Sequence, residues 1–155
     1  MRHWLFKSEP DEYSWERLQR EGRAPWSGVR SFQARNNMIE MKLDDLGFFY
    51  HSSIAVPAIV GIVKVAREAY PDSSAWEKGG DYYDPRSTPE KPLWKMVDVV
   101  PEADLPRPVT LSEMRAEPAL AYMPLLRKGQ RLSVQPVTAQ EWETIVRMAA
   151  RRTAD

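Results

Sequence analysis

The sequence predicts an α+β domain in which a mixed, mostly antiparallel β-barrel or sheet is flanked by about four short helices. Three observations carry this expectation. β-Branched and aromatic runs recur at His3–Phe6, Leu46–His51, Ala58–Val65, Trp94–Val100 and Arg131–Val134, each bounded by Pro, Gly, Ser or charged residues. Segments with helical signals follow Ser14, Ser31, Thr110 and Thr138. The runs are not regularly separated by these segments, which argues against a doubly wound parallel sheet. With no internal repeat and no linker, residues 1–155 read as one domain.

Taken in order, the first run ends at Lys7-Ser8-Glu9-Pro10, a turn, since proline removes a donor and biases its predecessor away from helix. Ser14–Arg20 predicts a short helix with Trp15 and Leu18 on one side. Pro25-Trp26-Ser27-Gly28 is loop chemistry, and Ser31 then caps a helix running to about Met41. Leu46–His51 and Ala58–Val65 predict a hairpin, with Gly61 marking a bulge or a close backbone approach. Tyr70–Pro92 lacks periodicity and reads as a long loop, and Trp94–Val100 resumes as strand. Thr110-Leu111-Ser112-Glu113 and Thr138-Ala139-Gln140-Glu141 have capping-box spacing. The second box opens the most amphipathic helix, with Trp142, Ile145, Val146 and Ala149 on one face at ~100° per residue.

Composition narrows the function. Hydrophobic residues make up 43% and charged residues 28%, an ordinary globular balance, and no apolar run approaches a membrane span. The absence of cysteine excludes disulfides, thiolate zinc sites and cysteine nucleophiles. The N-terminus does not read as a signal peptide, so the cytoplasm is the expected location. Lys plus Arg and Asp plus Glu each number 22, for a net charge of zero, with mildly basic ends and an acidic middle. A long electrostatic track on nucleic acid is not expected from such a balance, although a local basic rim is compatible with it.

Catalytic patterns are poor. His3 and His51 are the only histidines, and neither has a metal-ligand spacing. No nucleophile-elbow, P-loop, dinucleotide or zinc-deaminase motif is present. His51-Ser52-Ser53 with Ser8 and Glu9 has the residue types of a hydrolytic triad, but proximity in sequence is no evidence for one, and a strand-end hydrogen bond is the simpler role for His51.

Two features invite a ligand. On the Ser31–Met41 helix, Phe32, Ile39, Ala34, Met38 and Met41 span an apolar arc with Arg35 in its middle. A guanidinium there needs a carboxylate, carbonyls or a ligand, so Arg35 either forms a structural ion pair or braces a pocket. Trp26 lies in a Pro/Gly turn with no periodicity obliging it to be core. It is either a satellite core residue or a flat face for a ligand, with spare helix-N-terminal amides nearby. Loop and strand-end aromatics (Tyr50, Tyr70, Tyr82, Tyr83 and Trp94) add to the inventory that recognition of an unstacked base requires.

The segments WLFKSEP (4–10), WSGVRSFQARNNM (26–38), FFYHS (48–52), IVGIVKVAREAYPD (59–72), YYDP (82–85), PLWKMVDV (92–99) and LRKGQRLSVQPVT (126–138) together resemble an EVE domain over nearly the whole chain. That family belongs to the PUA-like superfamily and is related to YTH domains, which read N6-methyladenine in RNA. The resemblance implies a compact barrel-like sheet with surrounding helices and a pocket for a modified nucleobase, most often a modified cytosine. By the resemblance, the pocket comprises Lys7, Ser8 and Glu9; Trp26, Val29, Arg30, Ser31, Gln33, Ala34, Arg35 and Asn36; and Tyr50, His51 and Ser52. Relatives commonly have Asn or Ser followed by Tyr or Phe where this chain has Ser31-Phe32.

The implied activity is non-catalytic recognition of a modified base in RNA or DNA. Trp26 would stack on the base, Glu9 would accept from an exocyclic amine, and Ser8, Gln33, Asn36 and amides would take the remaining edges. Lys7, Arg30 and Arg35 would contact phosphate or brace the pocket. No cofactor, metal or membrane partner is implied, and a monomer is the default. Two other classes stay open: a hydrolase of a modified nucleotide or base using Glu9 or His51, and a protein-interaction module docking through the acidic 68–104 segment.

Overall fold

The computed structural model describes residues 1–151. Its framework is a six-stranded mixed sheet of β1 (His3–Ser8), β2 (Ala24–Pro25), β3 (Leu46–His51), β4 (Ala58–Pro71), β5 (Lys95–Thr110) and β6 (Val134–Val137), in the order β2-β5-β4-β3-β1-β6. Every neighbouring pair is antiparallel except β1 and β3, which run parallel from His3↔Leu46 to Ser8↔His51. Four helices accompany it: α1 (Trp15–Glu21), α2 (Phe32–Glu40), α3 (Leu111–Arg115) and α4 (Ala139–Ala150).

Because strand side chains alternate, each strand feeds two cores. Trp4, Phe6, Phe49, Val63, Val65, Val97 and Val99 pack with Leu18 of α1 and Ala34 and Met38 of α2. Leu5, Phe48, Tyr50, Ile59 and Val109 pack on the other side with Met114 of α3 and Trp142, Ile145 and Met148 of α4. Helices thus cover both faces. Local chemistry places them: Ser14, Ser31, Thr110 and Thr138 each accept from an amide in the first turn, and both expected capping boxes close reciprocally.

Gly61 fulfils both roles expected of it. The β3–β4 register slips beside it, and a Cβ there would stand 2.3 Å from Cζ2 of Trp15. Only a residue without a side chain lets the indole lie on this strand.

Several boundaries differ from the sequence-based expectation. β4 continues to Pro71 and β5 to Thr110, through Pro101, Pro106 and Pro108. β2 pairs only with Asp98 and Val99, so the outer edge of β5 is open beyond them and a missing proline donor breaks no ladder there. The last strand is Val134–Val137 rather than Arg131–Val134, since Arg131 and Ser133 belong to the preceding loop. On α2 only Ala34 and Met38, with Met41 at the C-cap, form the buried stripe; Phe32 and Ile39 are about half exposed. On α4, Val146 sits on the rim, and Met148 takes its place in the core beside Trp142, Ile145 and Ala149.

Candidate ligand pocket

The parallel β1–β3 pairing determines where a site forms. It brings the C-terminal ends of both strands, Ser8 and His51, to one end of the sheet. The antiparallel β1–β6 pairing brings the start of β6, Val134, to the same end. Three loops therefore converge: 9–14, 52–57 and 127–133. Together with the 24–31 segment and Tyr82 they enclose a cavity of about 850 Å³. That is within the usual volume of small-molecule sites.

Trp26 forms part of its wall. Its amide donates to the Val97 carbonyl at 2.7 Å, which fixes the backbone against β5. The half-buried indole meets Phe6, Phe49 and Tyr13 edge to face at centroid distances of 5.1, 5.7 and 6.3 Å. The edge-to-face cage holds the ring in one orientation. Trp26 is thus both a core satellite and a lining residue, so the two readings of it were not exclusive.

Gly28 shapes the adjoining stretch. Its φ is +79°, and a Cβ would lie 2.6 Å from Cζ of Tyr82, so the tyrosine ring rests directly on the glycine backbone. A buried carboxylate locks this arrangement. Asp72 accepts from the Gly28 amide at 2.8 Å, from Arg30 Nη1 at 3.1 Å and from the Ser74 amide and hydroxyl. Arg30 also donates to the carbonyls of Val29 and Tyr82 and to Ser74 Oγ. Its guanidinium is a staple joining the 26–31 and 72–82 segments.

Polar groups converge from the strand ends. Lys7 Nζ donates to the Gln130 carbonyl at 3.3 Å, and burial pushes its pKa below the ordinary lysine value. Ser8 Oγ donates to the Tyr13 carbonyl, and the Ser52 amide donates to the Ser8 carbonyl at 2.9 Å. Glu9 is exposed and accepts from the Ser53 hydroxyl at 3.1 Å. Ser31 Oγ caps α2 by accepting from the Ala34 amide. The Tyr13 hydroxyl donates to Glu21 at 2.7 Å; burial and that carboxylate hold its pKa well above the usual tyrosine range.

Of the residues expected in the pocket, Lys7, Ser8, Glu9, Trp26, Val29, Arg30, Ser31 and Ser52 line this cavity. Gln33, Ala34, Arg35, Asn36, Tyr50 and His51 do not. Ala34 is fully buried on the stripe that α2 presents to the core, while Gln33 and Asn36 are exposed. Among the described residues Arg35 pairs with no carboxylate, and it does not line this cavity: it donates to the Leu93 carbonyl at 3.0 Å and to Asn36 Oδ1, with its guanidinium over the Phe32 ring. Tyr50 belongs to the opposite core, as strand alternation from Phe49 requires. His51 Nε2 accepts the Trp15 amide at 3.1 Å, so the imidazole ties the start of α1 to the end of β3. Burial lowers its pKa, with a smaller opposing effect of Glu16, which suits an accepting neutral ring.

The lining also includes Glu12, Tyr13, Ser53, Tyr82, Gln130, Arg131 and Ser133. Nothing local in the sequence marks the 130–133 group, which reaches the site through the pairing of β6 with β1. Tyr82 was visible as a loop aromatic, but its seat depends on Gly28 and Asp72. Trp94, another such aromatic, is buried with its Nε1 donating to Asp84 at 2.7 Å and does not line the cavity. Among the described residues no cluster of three or more potential ligands could hold a metal, and no helix is long and apolar enough to cross a membrane.

Comparison with known proteins agrees with this architecture. The family model of the EVE domain matches residues 2–148. Thymocyte nuclear protein 1 of Mus musculus is 41% identical over 93% of this chain and 72% of its own length. The crystal structure of human THYN1 protein in complex with 5-methylcytosine-containing DNA superposes with a TM-score of 0.90 at 36% identity, covering 98% of this chain and 99% of that one. The YTH domain of Zygosaccharomyces rouxii MRB1 protein, at 14% identity and a TM-score of 0.54 over 99% of this chain and 87% of that one, shares the fold. With the family model spanning all but the ends of the sequence, the chain belongs to the EVE domain family.

Proposed function

We propose that this domain is a non-catalytic reader of a modified nucleobase, a 5-methylcytosine-like base in nucleic acid, which it takes into the cavity beside Trp26. The observation that carries the reading is the cavity itself: about 850 Å³, open at one end of the sheet, walled by a caged indole and edged by Lys7, Ser8, Glu9 and Ser31. The complex of the human relative with 5-methylcytosine-containing DNA supports the choice of ligand. An extruded base stacks on Trp26, a contact worth ~1–3 kcal/mol. Glu9 accepts from the exocyclic amine, as carboxylates do from cytosine N4. Lys7, with one N–H directed to Gln130, keeps two donors for ring acceptors. The added methyl contributes ~1–3 kcal/mol of discrimination in a fitted apolar pocket.

A non-catalytic role is supported by the engagement of His51 with the Trp15 amide, which removes the one imidazole near the strand ends from the cavity. The test is binding of a 5-methylcytosine oligonucleotide and its unmodified counterpart to wild type and Trp26→Ala. Stacking predicts a loss of roughly 5- to 150-fold for the modified strand. Undiminished binding in Trp26→Ala would overturn the reading. So would turnover of modified nucleosides, followed by mass spectrometry, that disappears in Glu9→Gln.

A further inference from the structure

The rim of the cavity carries two features that holding a single base does not use. On one side of β1 is the β3–β4 loop. Ser52 and Ser53 line the cavity, and the residues after them project into solvent, Ile54 being 41% and Val56 61% exposed. The loop is held at both ends: Ser52 and Ser53 bond to Ser8 and Glu9, and the Pro57 carbonyl accepts from the Leu111 amide at 2.9 Å. Ser53 adopts φ +58°, a left-handed conformation unfavourable for a residue with a side chain. Two exposed aliphatic side chains therefore follow directly on the lining residues Ser52 and Ser53, in a loop anchored at both ends.

On the other side of β1 is the loop entering β6. Arg127, Lys128 and Arg131 are exposed and form no ion pair among the described residues, while Gln130 and Arg131 line the cavity. Because β1 lies between β3 and β6, the two lips stand about two strand spacings, ~10 Å, apart across the opening.

We infer that the ligand is presented as base-paired DNA, with the Ile54–Val56 tip entering the stack where the base has left and Arg127 and Lys128 holding the flanking phosphates. This rests on the pocket reading above and adds the form of the substrate. Extrusion from a duplex leaves an unstacked step and an orphaned partner base, and an apolar wedge offsets that loss. A single strand offers no such gap. The cations are few, matching a zero net charge: the grip is local rather than a track along the backbone.

The experiment compares three probes on the full chain: a duplex with one 5-methylcytosine, the same single strand, and 5-methyldeoxycytidine followed by NMR. Ile54→Ser/Val56→Ser is expected to weaken the duplex about tenfold while leaving strand and nucleoside within about twofold. Arg127→Ala/Lys128→Ala is expected to weaken duplex and strand, to reduce the duplex salt slope by about 0.9 per cation removed, and to spare the nucleoside. An unchanged duplex affinity in the first variant, or an equal loss on all three probes, overturns the wedge. A wild type that binds the modified nucleoside and strand but not the duplex overturns the inference and leaves the pocket standing. A wild type that distinguishes no modified probe from its unmodified form removes the pocket reading and the inference with it.

Discussion

The two faces of the sheet are built from the same strands by alternation, yet they end differently. On the face covered by α3 and α4, Phe48 stacks on Trp142 at 3.9 Å and the short helical turns 118–120 and 124–126 add Leu120 and Leu125. On the face covered by α1 and α2, Phe6 and Phe49 are buried, and only Trp26, packed edge to face on both, carries the aromatic cluster to the cavity wall. The aromatic packing that is closed over on one side thus ends on the other in a half-buried indole facing a cavity. Residues of one face should therefore report on stability and those at the open end of the other on binding.

The sharpest way to break this contrast is Phe48→Ala. Phe48 is fully buried, and its removal should cost ~3–5 kcal/mol by denaturant titration while leaving the ligand affinity of the folded fraction unchanged. Trp26→Ala should reverse the pattern, with a smaller stability loss and the larger binding loss given above. Equal behaviour of the two variants would erase the distinction between the faces.

Asp72→Ala comes next. Asp72 is fully buried and Arg30 is 23% exposed, so the cost should lie near ~3 kcal/mol, the lower end for breaking a buried pair. Amide exchange should quicken over 72–82 and at Gly28, whose amide loses its acceptor. Protection confined to its wild-type pattern would show that the staple does not hold the Tyr82 wall.

The smallest effect is set by pH. The His51 pKa is depressed below its free value of 6.5, chiefly by burial, and the neutral Nε2 accepts the Trp15 amide. Its contribution is therefore fully present above pH 6.5 and is lost as pH falls through the lower folded value, because the unfolded chain then binds the extra proton first. Denaturation midpoints at pH 7.5 and 5 should differ less in His51→Gln, which accepts without titrating, than in wild type. An identical difference in both would assign the acid sensitivity elsewhere.

What could be read in the sequence follows from how local each signal is. Caps at Ser31, Thr110 and Thr138 and the glycine under Trp15 depend on neighbours in the chain or on one close approach, and the structure has them where expected. The wheel of α2 misled over Phe32 and Ile39, because hydrophobicity marks a face without saying whether another element covers it. Tyr50 and His51 followed from adjacency in a motif, whereas alternation sends one ring into the opposite core and a hydrogen bond fixes the other on α1. Gln130, Arg131 and Ser133 were invisible because only the β1–β6 pairing brings them near Lys7.

That pairing also sets a schedule for assembly. Phe6 is matched with Val134, so the first strand of the chain acquires its second neighbour only after nearly all the sequence exists. Closing so long a span is entropically slow, and the growing polypeptide must carry the Trp4, Leu5 and Phe6 ribbon half-clad until then. During synthesis, the opening is thus a late property: an incomplete chain ending before residue 134 has most of the sheet but lacks the strand that pins one lip against β1.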